Sequence, residues 1–141
     1  LIEEGPSIVI HQETIPSMHP DVEQLHKESG LLPKLKESTT VLSQAEAQTI
    51  AFIKKHCKEG QAPLCGNSVW QDKFFLIKYM PTLMSYLNYR IIDVSTIKEL
   101  VNRWYAHDPD VQFNKRKTHR ALDDIRESIA ELKHYRRYFF V

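Results

Sequence analysis

Two short runs, Ala62-Pro63-Leu64-Cys65-Gly66 and Tyr89-Arg90-Ile91-Ile92-Asp93, are each followed within a few residues by a helical pattern. Two strands separated by helix are joined by a crossover, not a tight hairpin, and a crossover makes neighbouring strands parallel. The order therefore predicts an α/β fold with part of its sheet parallel. The first helix spans about Val69 to Tyr79. A second opens at Pro81, where proline fits the first helical turn, and ends near Tyr86. A third covers Ser95 to Tyr105.

The flanking segments are read the same way. Gly5-Pro6 marks a turn, and the β-branched Ser7-Ile8-Val9-Ile10-His11-Gln12 reads as a further strand. Residues 13–37 carry Pro16, Pro20, Gly30 and Pro33, and are expected to form short helices joined by turns. Ser43-Gln44-Ala45-Glu46 has the spacing of a capping box, so a helix should follow to about Cys57 and stop at Gly60. Residues 106–118 form a polar loop, and a last helix runs from about His119 to Phe139.

Composition narrows the classes. The 141 residues are 42% hydrophobic, which fits one domain over 1–141 with a core of its own. A formal net charge of +1 gives no global field toward nucleic acid, so an anionic partner must meet a local patch. Apolar runs fall far short of the ~20 residues that span a bilayer. Leu1-Ile2 lead straight into Glu3-Glu4 and show no basic n-region, and Cys57 and Cys65 do not make a disulfide framework, so a cytoplasmic protein with no membrane partner is expected.

The last helix has an apolar stripe of Leu122, Ile125, Ile129, Leu132 and Phe139, expected to pack on the sheet. Asp123 then falls opposite the stripe, toward water, and Asp124 on its flank, beside a half-buried cleft. His119 can share that cleft only from the entering loop, because residues five apart diverge by ~140° on a helix. Asp72 lies just inside the helix that follows Gly66-Asn67-Ser68, and Asp93 ends the other strand. Strand ends that feed helix starts are where α/β sheets present their sites, and carboxylates there suit Mg²⁺ or Mn²⁺. Taken singly, each aspartate is more often a helix cap or a partner of the helix dipole than a metal ligand.

Three blocks carry a resemblance. They are Cys65-Gly66-Asn67-Ser68-Val69-Trp70-Gln71-Asp72-Lys73-Phe74-Phe75-Leu76 with Lys78-Tyr79-Met80-Pro81, then Tyr89 to Leu100 with Arg103-Trp104, then Thr118-His119-Arg120-Ala121-Leu122-Asp123-Asp124-Ile125 and onward to Ile129. In this order they resemble the oligoribonucleases, 3′→5′ exoribonucleases of the DEDDh class. That resemblance implies a ribonuclease H-like mixed sheet flanked by helices, and hydrolysis of very short oligoribonucleotides to mononucleotides. It makes Asp72 and Asp124 metal ligands for a pair of Mg²⁺ or Mn²⁺ ions, and His119 the general base. It places Tyr89 with Arg90 at the site of a neighbouring subunit in a homodimer. His26, Ser68, Arg90 and Ser95 become the polar cap on the substrate's terminal phosphate. Where the family carries an aromatic for base stacking, Asp21 stands here. The family's Asp-x-Glu strand has no counterpart in the sequence: Asp21-Val22-Glu23 fits the bare pattern but reads as a solvated helix face. The first strand or strands are thus expected to be missing.

Other features have plainer readings. Lys115-Arg116-Lys117 with Arg120 is a solvated loop or a guide for RNA phosphate, and Trp70, Phe74, Phe75 and Tyr79 are core or subunit interface. The aromatics Tyr135, Tyr138, Phe139 and Phe140 imply a covered surface. Two rival classes remain at this point. One is a metal phosphohydrolase built on His107-Asp108 with His56 or His119, and the other a non-catalytic, dimerising RNA-binding piece.

Overall fold

The computed structural model describes residues 1–114 and 121–140. In chain order they form α1 (Pro20–Glu28), α2 (Leu31–Glu37), α3 (Leu42–Lys54), β1 (Pro63–Gly66), α4 (Val69–Tyr79), α5 (Pro81–Tyr86), β2 (Asn88–Asp93), α6 (Val94–Trp104) and α7 (Ala121–Phe139). A short 3₁₀ turn, Pro109–Val111, lies between the last two helices. Helix dominates, and β1 and β2 pair in parallel with Leu64 opposite Ile91 and Gly66 opposite Asp93. The crossover through α4 and α5 thus has the form the strand–helix order requires. The polar stretch 13–37 contains two short helices, as its prolines and Gly30 predict.

The core is built where α6 meets α7. Val94, Val101, Val111 and Tyr135 are buried together, and Ile97, Phe113, Leu132 and Phe139 pack around them. Val94, Ile97 and Val101 share one face of α6, and Asp93 caps that helix by accepting the Ser95 N–H at 2.9 Å. Each fully buried aliphatic or aromatic side chain contributes about 1.5–3 kcal/mol.

Four local expectations are corrected. Ser7–Gln12 is extended but joins no sheet among the described residues. Two of its backbone groups pair with the segment before α3 instead: His11 N–H donates to the Thr40 carbonyl at 2.8 Å, and Ser38 Oγ to that of Val9 at 2.5 Å. Helix α3 begins one residue before Ser43. Val41 takes the cap position and its N–H donates to the Gln44 side chain at 3.1 Å, while Glu46 accepts the Leu83 N–H of α5 at 2.9 Å. The same helix ends at Lys54, short of Cys57.

The fourth correction concerns α7. Its buried stripe centres on Glu131 and Tyr135, both fully buried, and Ile125 is 55% exposed. The face is therefore turned from the one drawn through the aliphatic residues alone, because a buried polar network claims part of the helix surface. Asp124 is exposed and Asp123 partly covered, the reverse of the expected order.

Candidate active site

Both parallel strands end at the same edge, and each runs directly into a helix. At the end of β1, Ser68 adopts a left-handed conformation, φ 49°, which costs a residue with a Cβ about 1–2 kcal/mol. The turn is held by its own N–H, which donates to Asp93 Oδ1 at 3.0 Å and to Ser95 Oγ at 2.9 Å. The hydroxyls of Ser68 and Ser95 lie 3.3 Å apart. Ser68 and Ser95, expected to share a phosphate cap, are thus brought together, and Asp93 serves as their scaffold.

Asn67 extends the network to α7. Its Oδ1 accepts the Ser95 hydroxyl at 3.2 Å, and its Nδ2 donates to Ser128 Oγ at 2.7 Å and Glu131 Oε2 at 3.1 Å. Tyr135 donates its hydroxyl to Glu131 Oε1 at 3.1 Å, and Lys98 Nζ lies 3.7 Å from that oxygen. A buried carboxylate needs such partners to remain charged. Burial first, and then the neighbouring Glu131, push the Tyr135 hydroxyl well above its ordinary pKa, so it stays a donor.

Asp72 and Asp124 lie in the first turns of α4 and α7, and both are exposed. Neither carboxylate has a hydrogen-bond or ion-pair partner among the described residues. Asp123 does, from Arg126 at 3.1 Å. Arg126 also forks onto Glu4 at 2.8 and 2.9 Å, and that bond holds the Glu4 carboxyl below its ordinary pKa. Free, exposed carboxylate oxygens are the donors that hard divalent cations take, so Asp72 and Asp124 fit that chemistry. Among the described residues no three His, Cys, Asp or Glu side chains converge on a site that could hold a metal ion.

The remaining expected site residues are placed as follows. His26 sits half-buried on α1, and no hydrogen bond joins it to Ser68 or Ser95 among the described residues. Tyr89 is 70% exposed on β2, with the Arg90 guanidinium 4.5 Å above its ring. His119, with Lys115-Arg116-Lys117 and Arg120, lies outside the described residues. Asp21 and Glu23 are on α1, the first exposed and the second paired with Lys27, as a solvated helix face requires. Asn67, Ser128 and Glu131 were not singled out from sequence. The available signal was Glu131 lying on the same helical face as Ser128 and Tyr135.

The exonuclease family model RNase_T matches residues 1–132. The oligoribonuclease of Ectopseudomonas mendocina (strain ymp) is 50% identical over 141 residues, covering 99% of this chain and 78% of that protein. The chain belongs to the oligoribonuclease family. The oligoribonuclease of Marinobacter nauticus is 49% identical over 144 residues, with 99% and 78% covered, and that of Pasteurella multocida 50% over 143 residues, with 99% and 76%. Family membership removes the histidine-doublet phosphohydrolase. The structure gives that doublet a different role as well: Asp108 caps the 3₁₀ turn by accepting the Asp110 N–H at 2.8 Å.

Proposed function

We propose that this protein is a metal-dependent 3′→5′ exoribonuclease that hydrolyses very short oligoribonucleotides, dinucleotides included, to mononucleotides. The reading is carried by oligoribonuclease relatives that share half of their aligned residues over 99% of the chain. It is a single exonuclease domain of ribonuclease H-like type over residues 1–141, acting in the cytoplasm. No helix among the described residues is long and apolar enough to cross a membrane.

Asp72 and Asp124 would hold Mg²⁺ or Mn²⁺ through their carboxylate oxygens. When bound, the pair of ions lowers the pKa of water and neutralises charge on the departing oxygen. His119 takes the proton of the attacking water, a task suited to a side chain that titrates near neutrality. Water oxygen would add to the phosphorus that links the last two nucleotides, the bond from that phosphorus to the 3′ oxygen of the preceding ribose breaks, and that oxygen leaves as a hydroxyl, taking its proton from solvent. Ser68 and Ser95, joined by His26 and Arg90, hold the substrate's end phosphate. A pocket capped on that side has no exit for a longer strand, which selects short substrates.

The active form is a homodimer in which Tyr89 of one subunit reaches the other's site. Supporting this are exposed aromatics of α4, the helix whose Lys73 donates to the Tyr89 carbonyl: Trp70 at 51%, Phe74 at 65% and Phe75 at 67%. The alternative reading of these aromatics as core does not hold. A patch of this kind on a globular chain marks a contact surface.

The test is turnover of a 5′-phosphorylated diribonucleotide by the full-length protein with Mn²⁺, followed by chromatography of the products. Mononucleotides should form, and chelation should stop their formation. Tight binding of the dinucleotide with no product would replace this reading with that of an RNA-binding module.

A further inference from the structure

Helix α7 is anchored unevenly. Its core residues, Tyr135 with Leu132 and Phe139, lie in its second half. Asp124 precedes Glu131 by seven residues, which at 1.5 Å per residue puts its carboxylate about 10 Å along the axis from the first fully buried position. Ala121, Asp124 and Ile125 are exposed, so packing alone leaves the first turns loosely placed. A ligand displaced by about 1 Å is enough to lose two orders of magnitude in rate.

Beside the fork of Arg126 onto Glu4, a second anchor reaches these turns from the strand ends. Asn67 Nδ2 donates to Ser128 Oγ at 2.7 Å, and the Ser128 hydroxyl donates in turn to the backbone carbonyl of Asp124 at 2.8 Å. The other end of the same carboxamide accepts the Ser95 hydroxyl, and the residue next to Asn67 is Ser68. A single side chain thus connects the turn that carries one carboxylate with the hydroxyls at the strand ends. The carboxamide's orientation is fixed by its partners, because Ser95 must donate to one end and Glu131 must accept from the other.

We propose that Asn67 is a positioning residue for the exonuclease reaction, fixing the Asp124 turn of α7 through Ser128 against the turn between β1 and α4, which bears Ser68 and leads into the Asp72 turn. This rests on the assignment of Asp124 as a metal ligand. The geometry also states what each atom does. The amide nitrogen sets the height of α7, and the amide oxygen sets the rotamer of Ser95. Neither touches the substrate.

The experiment compares Ser128→Ala, Ser128→Thr and Asn67→Ala in the full-length protein. Alanine is the better helix former, so Ser128→Ala keeps the helix intact while removing the relay. Mn²⁺ binding is read by electron paramagnetic resonance without substrate, and kcat and KM are read on a diribonucleotide. Ser128→Ala should bind Mn²⁺ several-fold more weakly and lose about tenfold in kcat, the scale for partners that orient metal ligands, with KM within about twofold. Ser128→Thr should restore both, and Asn67→Ala should lose at least as much as Ser128→Ala. Unchanged Mn²⁺ binding in Ser128→Ala, or equal losses in the threonine and alanine variants, overturns the proposal. If Asn67→Ala does not fold, the Ser128 pair decides. A wild-type protein that binds Mn²⁺ but hydrolyses nothing removes the exonuclease reading, and the Mn²⁺ comparison still judges the relay.

Discussion

Asp123 and Asp124 are adjacent, yet only one of them is free to take a ligand. The Asp123 carboxylate is engaged by Arg126, which itself is forked onto Glu4. Asp124 has no side-chain partner among the described residues, and its carbonyl is fixed by Ser128. The two carboxylates differ in partnership, not in the burial a helical wheel predicts. Asp124→Asn and Asp72→Asn should each reduce dinucleotide turnover at least about a hundredfold, the scale for removing one fixed electrostatic group from a reacting centre. Asp123→Asn should stay within a few-fold, since Glu4 still holds Arg126. Steady-state assays on the three variants, with folding followed by circular dichroism, measure this; equal losses at 123 and 124 would contradict it.

At the scale of elements, charged side chains that resemble helix caps in sequence turn out to join helices together. Glu46 has capping-box spacing from Ser43 but accepts the Leu83 N–H at the start of α5. That bond links the first helical layer to the crossover, and it involves a charged acceptor at a half-covered site. Glu46→Ala should destabilise the protein by about 1.5–3 kcal/mol, the range for a hydrogen bond to an ionised group. Ser43→Ala should change stability by no more than about 0.5 kcal/mol, as an exposed position without a partner does. Urea unfolding of both variants distinguishes the two roles of this tetrapeptide. A larger loss at Ser43 would restore the capping box.

At the scale of the whole molecule, the chain leaves much aromatic surface uncovered. Tyr89 is 70% and Trp104 69% exposed, beside the exposed aromatics of α4 in the same chain. In the proposed homodimer, where Tyr89 serves the neighbouring subunit, each site is built from two chains. Mixing an Asp72→Asn protein with a Tyr89→Ala protein should then recover part of the wild-type turnover, because one site of each mixed dimer has both residues intact. No recovery after subunit exchange, verified by light scattering and mass, would place Tyr89 in its own subunit's site.

Local chemistry determined a good deal by itself. The strand–helix alternation across 62–105, Pro81 at a helix start and the breaks around Gly30 and Gly60 are consequences of backbone preference, and each has its counterpart in the structure. The parallel pairing of β1 and β2 follows from the crossover between them. The family blocks named Asp72 and Asp124 because their residue types and order are visible without coordinates. Tertiary structure decided the rest. Ser7–Gln12 has strand composition, but a strand needs a partner's ladder, and among the described residues two of its backbone groups pair with the segment before α3 instead. The face of α7 was set by a buried carboxylate whose burial is tolerable only because Asn67, Tyr135 and Lys98 converge on it from 64, 4 and 33 residues away in the chain. No periodicity in the sequence encodes that meeting, since long-range hydrogen bonds form only once the elements have packed.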